Sequence, residues 1–180
     1  MNVCVFCGSS AGDDTIYADT ARDVGTLIGS AGNCLIYGGG NIGLMGILAD
    51  AVLASGGKVI GIIPEFLMNR EVGHRGLTEL IIVSSMHERK RRMADLADAF
   101  VALPGGWGTL EELAEVLTWR QLGLIDQPIG LLNVRSFFSP LVEQMTTMRN
   151  KGFLSAQNLQ LLLVEDSPAK LLTALGVVPV

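Results

Sequence analysis

Short apolar segments alternate with longer amphipathic segments along the whole chain, and this alternation restricts the fold more than any other feature of the sequence. The apolar segments have the length and composition of buried strands and lie at residues 3–7, 34–37, 59–63, 80–83, 99–103, 128–132 and 161–164. Strands that alternate with helices form a parallel sheet whose two faces are both covered. We therefore expect an α/β fold with a doubly wound parallel sheet of about seven strands and helices on both faces.

The length and composition of the chain favour one self-contained domain over residues 1–180. Apolar residues make up 49% of the chain and charged residues 17%, yet no apolar run approaches the ~20 residues of a membrane span. We expect the apolar excess to be buried in a homodimer or a higher homo-oligomer. The net charge of -5 argues against a general nucleic-acid binder. The first residues lack the pattern of a signal peptide, so we expect a cytoplasmic protein with no membrane partner.

The cysteines and histidines do not predict a metal site. Cys4 and Cys7 have the spacing of a redox or zinc motif, but they lie in an apparent strand, where residues three apart point to opposite faces. With Cys34 they are too few for a disulfide scaffold. His74 and His87 have no metal-ligand spacing to each other or to the cysteines. We expect core cysteines, no metal and no cofactor.

The segment 103–112, with the sequence LPGGWGTLEE, combines a strand end, a glycine loop and a helix start. Pro104 ends the apolar run, and the glycines after it leave backbone N–H groups open to an anion such as a phosphate. Thr109 and Glu112 also fit a capping box, in which the glutamate bonds back to the threonine N–H. Because a cap does not need three glycines, we favour a ligand site, although both roles are compatible.

Two other turns follow predicted strands and contain small residues. Gly8 and Ser9 lie after the first strand and could touch a ligand. The segment 38–46, GGGNIGLMG, has the glycine spacing of a dinucleotide fingerprint. A dinucleotide fingerprint normally follows the first strand of its unit, with an acidic residue about 20 residues further on. This segment follows the second strand, and the acidic residue near that distance is Glu65. This position favours a phosphate or ribose loop over a complete NAD site.

Arg89 occupies an unusual position for an arginine, on one helical stripe with Met93, Leu96 and Phe100. Because this predicted helix follows a strand, its first turn should lie at the carboxyl edge of the sheet, beside the glycine loops. We therefore expect Arg89 to point toward the ligand. The segment after the third strand has no clear periodicity, and its apolar residues 66–68 could cover a base.

Four longer motifs occur in order and span nearly the whole chain. They are Tyr37-Gly38-Gly39-Gly40-x-x-Gly43-Leu44-Met45-Gly46, Met86-His87-x-Arg89-Lys90, Pro104-Gly105-Gly106-x-Gly108-Thr109-x-x-Glu112 and Thr118-Trp119-x-Gln121-Leu122-Gly123. The combination resembles the Lonely Guy (LOG) phosphoribohydrolases, once labelled lysine-decarboxylase-like. The resemblance implies a Rossmann-like fold in dimers or larger assemblies. It also implies cleavage of the N-glycosidic bond of cytokinin riboside 5′-monophosphates, and often of AMP, to free base and ribose 5-phosphate.

The resemblance also implies the roles of individual residues, with Arg89 and Glu112 as the catalytic pair. The predicted substrate-binding residues, including those of the glycine turns, are Gly8, Ser9, Gly39, Gly43, Glu71, Met86, Lys90, Gly105, Gly106, Trp107, Gly108, Thr109, Leu110, Glu111 and Thr118. A carboxylate at Glu112 could stabilise positive charge on the sugar or orient a water, and the first turn of a helix would favour its ionised form. Arg89 could hold the phosphate or Glu112 itself.

Two other functions are compatible with the sequence. A pyridoxal phosphate decarboxylase needs a Schiff-base lysine, and of the lysines at 58, 90, 151 and 170 only Lys90 lies near the predicted site. A non-catalytic nucleotide-binding or carrier protein would need only the glycine loops. Glu112 argues against that alternative, because a carboxylate beside a bound phosphate does not help a protein that only binds.

Overall fold

A computed structural model describes residues 1–68 and 73–179 and contains one seven-stranded parallel sheet. The strands are β1 (Asn2–Phe6), β2 (Cys34–Tyr37), β3 (Lys58–Pro64), β4 (Glu79–Val83), β5 (Ala99–Ala102), β6 (Ile129–Leu132) and β7 (Leu162–Glu165). Their order across the sheet is β4-β3-β2-β1-β5-β6-β7, and every pair is parallel. The predicted α/β class and doubly wound sheet are confirmed.

Helices cover both faces of the sheet. They are α1 (Thr15–Ser30), α2 (Gly43–Ala54), α3 (Met86–Leu96), α4 (Trp107–Gln121), α5 (Ser139–Asn150), α6 (Ala156–Leu159) and α7 (Pro168–Ala174). Residues of α1, α2 and α7 share one core with Val3 and Val5 of β1, whereas residues of α3, α4 and α5 share the other with Cys4 and Phe6. Within the described residues, no helix is long and apolar enough to cross a membrane.

The strand order reverses between β1 and β5, which places a crevice at the carboxyl ends of these two strands. The loops that leave the strands are tied together there. Gly8 N–H donates to the Pro104 carbonyl at 3.1 Å, and Leu44 N–H at the start of α2 donates to the Gly8 carbonyl at 3.1 Å. Three loops with predicted ligand roles therefore meet at one point of the sheet edge.

Helices α1 and α2 pack backbone to backbone, which fixes α2 against the sheet. A Cβ added to Gly25 would lie 2.6 Å from the carbonyl oxygen of Leu48, and one added to Gly29 would lie 2.5 Å from that of Val52. Real Cβ atoms do not approach oxygens so closely, so both positions require glycine. The side chains that α2 presents toward the loops of the crevice are consequently held in place.

Several predicted boundaries differ from the structure. Helix α4 begins at Trp107, two residues before the predicted start. Helix α5 begins after Phe138, whose N–H donates to Asn133 Oδ1 at 2.7 Å, and a short 3₁₀ segment (Val134–Ser136) that the apolar pattern did not predict precedes it. Helix α6 was also missed, although Ser155 caps it by accepting from Asn158 N–H at 3.0 Å. Hydrogen bonds of Asn133 and Ser155, which apolar periodicity does not contain, accompany the starts of α5 and α6, whereas α4 begins after Gly106 without a side-chain cap.

Candidate active site

A cavity of about 230 Å³ opens where the strand order reverses. Its walls come from the loops after β1, β2 and β5 and from the first turns of α3 and α4. The predicted site residues that line it are Gly8, Ser9, Met86, Arg89, Gly106, Trp107, Gly108, Thr109, Glu111 and Glu112. The structure therefore brings both predicted catalytic residues and the core of the glycine loop into one cavity.

Arg89 is buried in the wall of this cavity, with only 5% of its surface exposed. Its Nη2 donates to the Gly38 carbonyl at 3.0 Å, and its Nη1 lies 3.7 Å from the sulfur of Met86. A Cβ on Gly38 would lie 1.8 Å from Nη2, so this position must be glycine for the guanidinium to occupy its site. The first glycine after β2 thus makes room for a buried cation.

Two serines before α3 fix the start of the helix that carries Arg89. Ser85 is the N-cap of α3, and its Oγ accepts from Glu88 N–H at 3.2 Å. Glu88 Oε2 accepts in return from the N–H of Ser84 at 2.9 Å and from its hydroxyl at 2.7 Å. These hydrogen bonds hold the pKa of Glu88 below its usual value, and the one from the backbone N–H of Ser84 has the larger effect. These bonds fix the position of the first residues of α3, which directly precede Arg89.

The start of α4 overturns two expectations about Glu112. Gly106 is the N-cap and Trp107 the first helical residue, with no side-chain cap. Thr109 is therefore the third residue of the helix and not its N-cap, so the capping box with Glu112, the alternative to a ligand site, does not form. Glu112 lies in the second turn rather than the first, where the influence of the helix dipole has fallen off. Its location in the cavity, and not the helix end, must account for any catalytic role.

The N-terminus of α4 offers backbone donors to the cavity. The first N–H groups of a helix have no partner within that helix. A Cβ added to Gly106 or Gly108 would meet nothing within 4 Å, so both positions border open space. Trp107 between them is 88% exposed. Because Gly106, Trp107 and Gly108 line the cavity, an anion bound in it would lie close to the start of this helix.

Two thiols lie close enough to the cavity for its charged residues to change their pKa. Burial, and after it the negative charge of Glu112, raises the pKa of both Cys4 and Cys7, and Arg89 acts in the opposite direction on Cys4. Both charges thus act on the same thiol. Cys4 is buried as expected, whereas Cys7 is half-buried just beyond β1 and lines the cavity. Among the described residues, no group of three histidines, cysteines or carboxylates could hold a metal ion.

Lys90 is bound to protein carboxylates and does not line the cavity. Its Nζ donates to Glu111 and, at 3.0 Å, to Glu115, and only 10% of its side chain is exposed. Burial acts to lower its pKa, but the hydrogen bonds to Glu111 and then Glu115 outweigh this and raise the pKa. A lysine so firmly protonated joins α3 to α4 and is a poor nucleophile for a Schiff base.

Other predicted binding residues support the cavity or lie away from it. Those that do not line it are Gly39, Gly43, Gly105, Leu110 and Thr118. A Cβ on Gly43 would lie 2.3 Å from the carbonyl carbon of Ser9, so this glycine lets α2 pack under the loop after β1. Thr118 is exposed, and its hydroxyl donates to the Ala114 carbonyl at 2.7 Å. Glu71 lies outside the described residues.

The sequence prediction did not select all of the residues that line the cavity. Those it missed as site residues are Val5, Phe6, Cys7, Gly38, Met45, Leu67 and Met93. Gly38 directly follows a predicted strand, and Met93 shares the helical stripe of Arg89, so both carried a usable signal. Leu67 belongs to the segment expected to cover a base. Its neighbour Phe66 is 56% exposed and does not line the cavity.

Comparisons with known proteins identify the family. A family described as possible lysine decarboxylase matches residues 45–175. A protein of Oryza sativa named a probable cytokinin riboside 5′-monophosphate phosphoribohydrolase is 46% identical over 170 residues, covering 94% of this chain and 76% of the relative. An Arabidopsis thaliana phosphoribohydrolase of the same name is 50% identical over 153 residues, covering 85% and 72%. The chain belongs to the LOG family.

Solved structures with low sequence identity resemble this LOG protein in fold alone. The molybdenum cofactor carrier protein of Chlamydomonas reinhardtii superposes with a TM-score of 0.73 at 22% identity, covering 97% of this chain and 95% of the carrier. A molybdenum cofactor binding protein of Rippkaea orientalis gives 0.70 at 20% identity, covering 97% and 93%. Because identities this low carry no residue-level argument, these neighbours confirm the Rossmann-like scaffold and leave the function to the site.

Proposed function

We propose that the protein hydrolyses the N-glycosidic bond of adenosine 5′-monophosphate and its N6-substituted derivatives, releasing the free base and ribose 5-phosphate. The observation that carries this proposal is one cavity that contains buried Arg89, the carboxylate of Glu112 and the open N-terminus of α4. The relatives named as cytokinin riboside 5′-monophosphate phosphoribohydrolases, at 46% and 50% identity, support the same activity.

The phosphate binds at the N-terminus of α4. Gly106, Trp107 and Gly108 line the cavity at the start of the helix, where the first N–H groups have no partner within the helix and the positive end of the helix dipole favours an anion. Ser9, in the loop after β1, lines the same cavity and can add a hydroxyl donor. These contacts hold the substrate by a part of the molecule that does not react, which positions the sugar for cleavage.

The sugar lies beside Glu112. Breaking the ribosyl–base bond builds positive charge at the sugar carbon, as in glycoside hydrolysis, and a carboxylate there stabilises the charge or orients the attacking water. The hydroxyl of that water is added to the sugar, and its proton leaves with the base. Arg89 is held by the Gly38 carbonyl and lines the same cavity as Glu112, so we propose that it orients Glu112 rather than the phosphate. Met86 and Leu67 give the base an apolar wall.

The protein works as a homodimer or higher homo-oligomer in the cytoplasm, without a metal, cofactor, nucleic-acid or membrane partner. Exposed apolar side chains at the end of α4 support the assembly, because Leu122 is 63% and Leu124 67% exposed. Leu124 also lines a groove with Trp119 and Ile125. Burying this surface against a second copy removes it from water. Sedimentation that shows a monomer at micromolar concentration would overturn this part.

A substrate panel tests the activity. AMP and N6-isopentenyl-AMP, incubated without added metal or nicotinamide, should yield free base and ribose 5-phosphate by chromatography. Adenosine should react at least 10²-fold more slowly in kcat/KM, because a phosphate makes several charge-assisted hydrogen bonds worth about 1.5–3 kcal/mol each. Equal turnover of adenosine and AMP contradicts the phosphate site. Binding of AMP without products would support the non-catalytic carrier, and carbon dioxide released from lysine would support the decarboxylase.

A further inference from the structure

His74 is a buried polar residue outside the cavity, and three hydrogen bonds fix it between the loop after β2, the helix α2 and its own turn. Its backbone N–H donates to the Gly39 carbonyl at 3.0 Å, and its ring Nδ1 accepts from the backbone N–H of Gly76 at 3.0 Å. Because a backbone N–H can only donate, the neutral ring carries its proton on Nε2. That proton is donated to Asp50 Oδ1 on α2, at 2.9 Å.

The loop that His74 holds is the one that receives Arg89. Gly39 has φ +76°, a left-handed conformation that favours glycine, and Gly40 pairs with Gly73 in an isolated antiparallel bridge. Two consecutive carbonyls of this loop therefore have different partners. The Gly39 carbonyl accepts from the backbone N–H of His74, and the Gly38 carbonyl accepts from the Arg89 guanidinium.

We propose that His74 is a positioning residue that keeps the Gly38 carbonyl where it receives Arg89. The proposal rests on the proposed function, because it assigns Arg89 to the reaction. The anchor is Asp50, since α2 is fixed by its close packing on α1. The imidazole ties His74 to α2 through Asp50, and the backbone N–H of the same residue holds the Gly39 carbonyl in the loop after β2. Without the imidazole, the backbone N–H that holds the Gly39 carbonyl is no longer tied to α2, so the peptide at Gly38 and Gly39 is less restrained and the guanidinium shifts within the cavity wall.

A structural role alone would have a different signature. If His74 only stabilises the fold, its loss lowers the melting temperature but leaves the turnover of folded molecules unchanged. A positioning role lowers kcat in molecules that remain folded, because catalysis depends on small displacements of the reacting groups. KM should change little, because the phosphate binds at α4, which His74 does not touch.

The test compares four variants in AMP hydrolysis. His74→Ala and Asp50→Ala should each lower kcat by about 10- to 100-fold, and the double variant should be no worse than either single one. His74→Gln, whose amide nitrogen can still donate to Asp50, should retain most of the activity. Asp19→Ala is the control, since Asp19 is an exposed carboxylate that pairs with Arg22 on α1. A kcat for Asp50→Ala equal to that of the control overturns the proposal.

A second readout does not depend on activity. The Nε–H signal of Arg89, assigned with Arg89→Lys, should shift in the ¹H–¹⁵N NMR spectrum of Asp50→Ala and stay in place in Asp19→Ala. Asp50 has a side chain that is 69% exposed, so its variant folds even if His74→Ala does not. If the wild type fails to cleave AMP, the proposed function is wrong while this spectrum still tests the positioning. An unshifted Arg89 signal overturns the positioning role.

Discussion

Arg89 Nη2 lies 3.0 Å from the carbonyl oxygen of Gly38, a residue 51 positions earlier in the chain. This contact gives the glycine run after β2 a role that its spacing did not predict. Gly38 provides room for the guanidinium, and Gly39 turns the backbone through a left-handed conformation. The dinucleotide-like spacing therefore serves a buried arginine, whereas the open glycines that border the cavity lie at the start of α4.

Glu112→Gln tests the catalytic carboxylate. We expect AMP hydrolysis to fall by about 10²-fold or more, the effect of losing one electrostatic or acid–base group, while the affinity for AMP stays within about tenfold. Glu143→Gln, an exposed glutamate on α5, is the matched control. Steady-state kinetics and equilibrium binding measure the two effects separately. Normal turnover by Glu112→Gln would leave the residue without a catalytic role.

Much of the fold could be predicted because it depends on apolar burial. The apolar runs of β1, β2, β3 and β5 end at a glycine or proline, and the stripe that Arg89 shares with core positions predicts that it faces the ligand. The position of Glu112 relative to the helix end could not be predicted in this way. Thr109 and Glu112 fit a capping box as well as Ser85 and Glu88 do, and only the structure shows that the second pair caps a helix.

The contacts that complete the site come from pairings distant in sequence, which no local pattern contains. Lys90 follows Arg89 directly, yet it turns to the carboxylates of Glu111 and Glu115 on α4. Successive residues on a helix point about 100° apart, so neighbours in a motif need not share a site. His74 likewise has a partner 24 residues away in Asp50.

The two adjacent glycines of the loop before α4 should respond differently to alanine. A Cβ on Gly105 would lie 2.1 Å from Thr109 Oγ1 and 2.9 Å from Gly8 N, so Gly105→Ala should destabilise the fold by about 1–3 kcal/mol. A Cβ on Gly106 meets no protein atom, so Gly106→Ala should fold normally and raise KM for AMP by crowding the phosphate. Thermal unfolding and kinetics on both variants measure these effects. Equal melting temperatures would contradict the difference in packing.

Lys90→Met tests whether the lysine joins helices or binds substrate. Because Glu111 is 54% exposed, we expect the variant to lose only about 1 kcal/mol of unfolding free energy at neutral pH. The raised pKa of Lys90 means that its contribution is fully present below the unfolded value of ~10.4 and is lost as the pH rises through the higher folded value. The wild type and the variant should therefore converge in melting temperature at strongly alkaline pH.

Arg91→Met, which removes an exposed pair with Asp95 on the same helix, is the control for Lys90→Met and should change stability by less. Circular dichroism melts across pH measure both variants. A Lys90→Met protein with unchanged melting temperature and a raised KM for AMP would instead support the substrate contact that the family motif implies.

The last prediction uses Cys7 as a reporter of the cavity. Its pKa is raised by burial first and then by Glu112, so the protonated thiol is favoured and little of the reactive thiolate forms near neutral pH. By linkage, the protein should lose stability as the pH rises above the unfolded thiol value of ~8.5, because the unfolded chain then releases a proton that the folded chain retains. We expect slow alkylation of Cys7 by iodoacetamide at pH 8, and faster alkylation in Glu112→Gln, which lacks the negative charge.

Cys34 provides the internal reference for this measurement. Burial raises its pKa too, but its charged neighbours are Lys58, the N-terminus and Glu79, so Glu112→Gln should not change its rate. Mass spectrometry of alkylated peptides follows both thiols in one sample. AMP should further protect Cys7, which lines the cavity, and leave Cys34 unaffected. If AMP protected both thiols equally, or if Glu112→Gln left Cys7 unchanged, the carboxylate and the nucleotide would not share the cavity with this thiol.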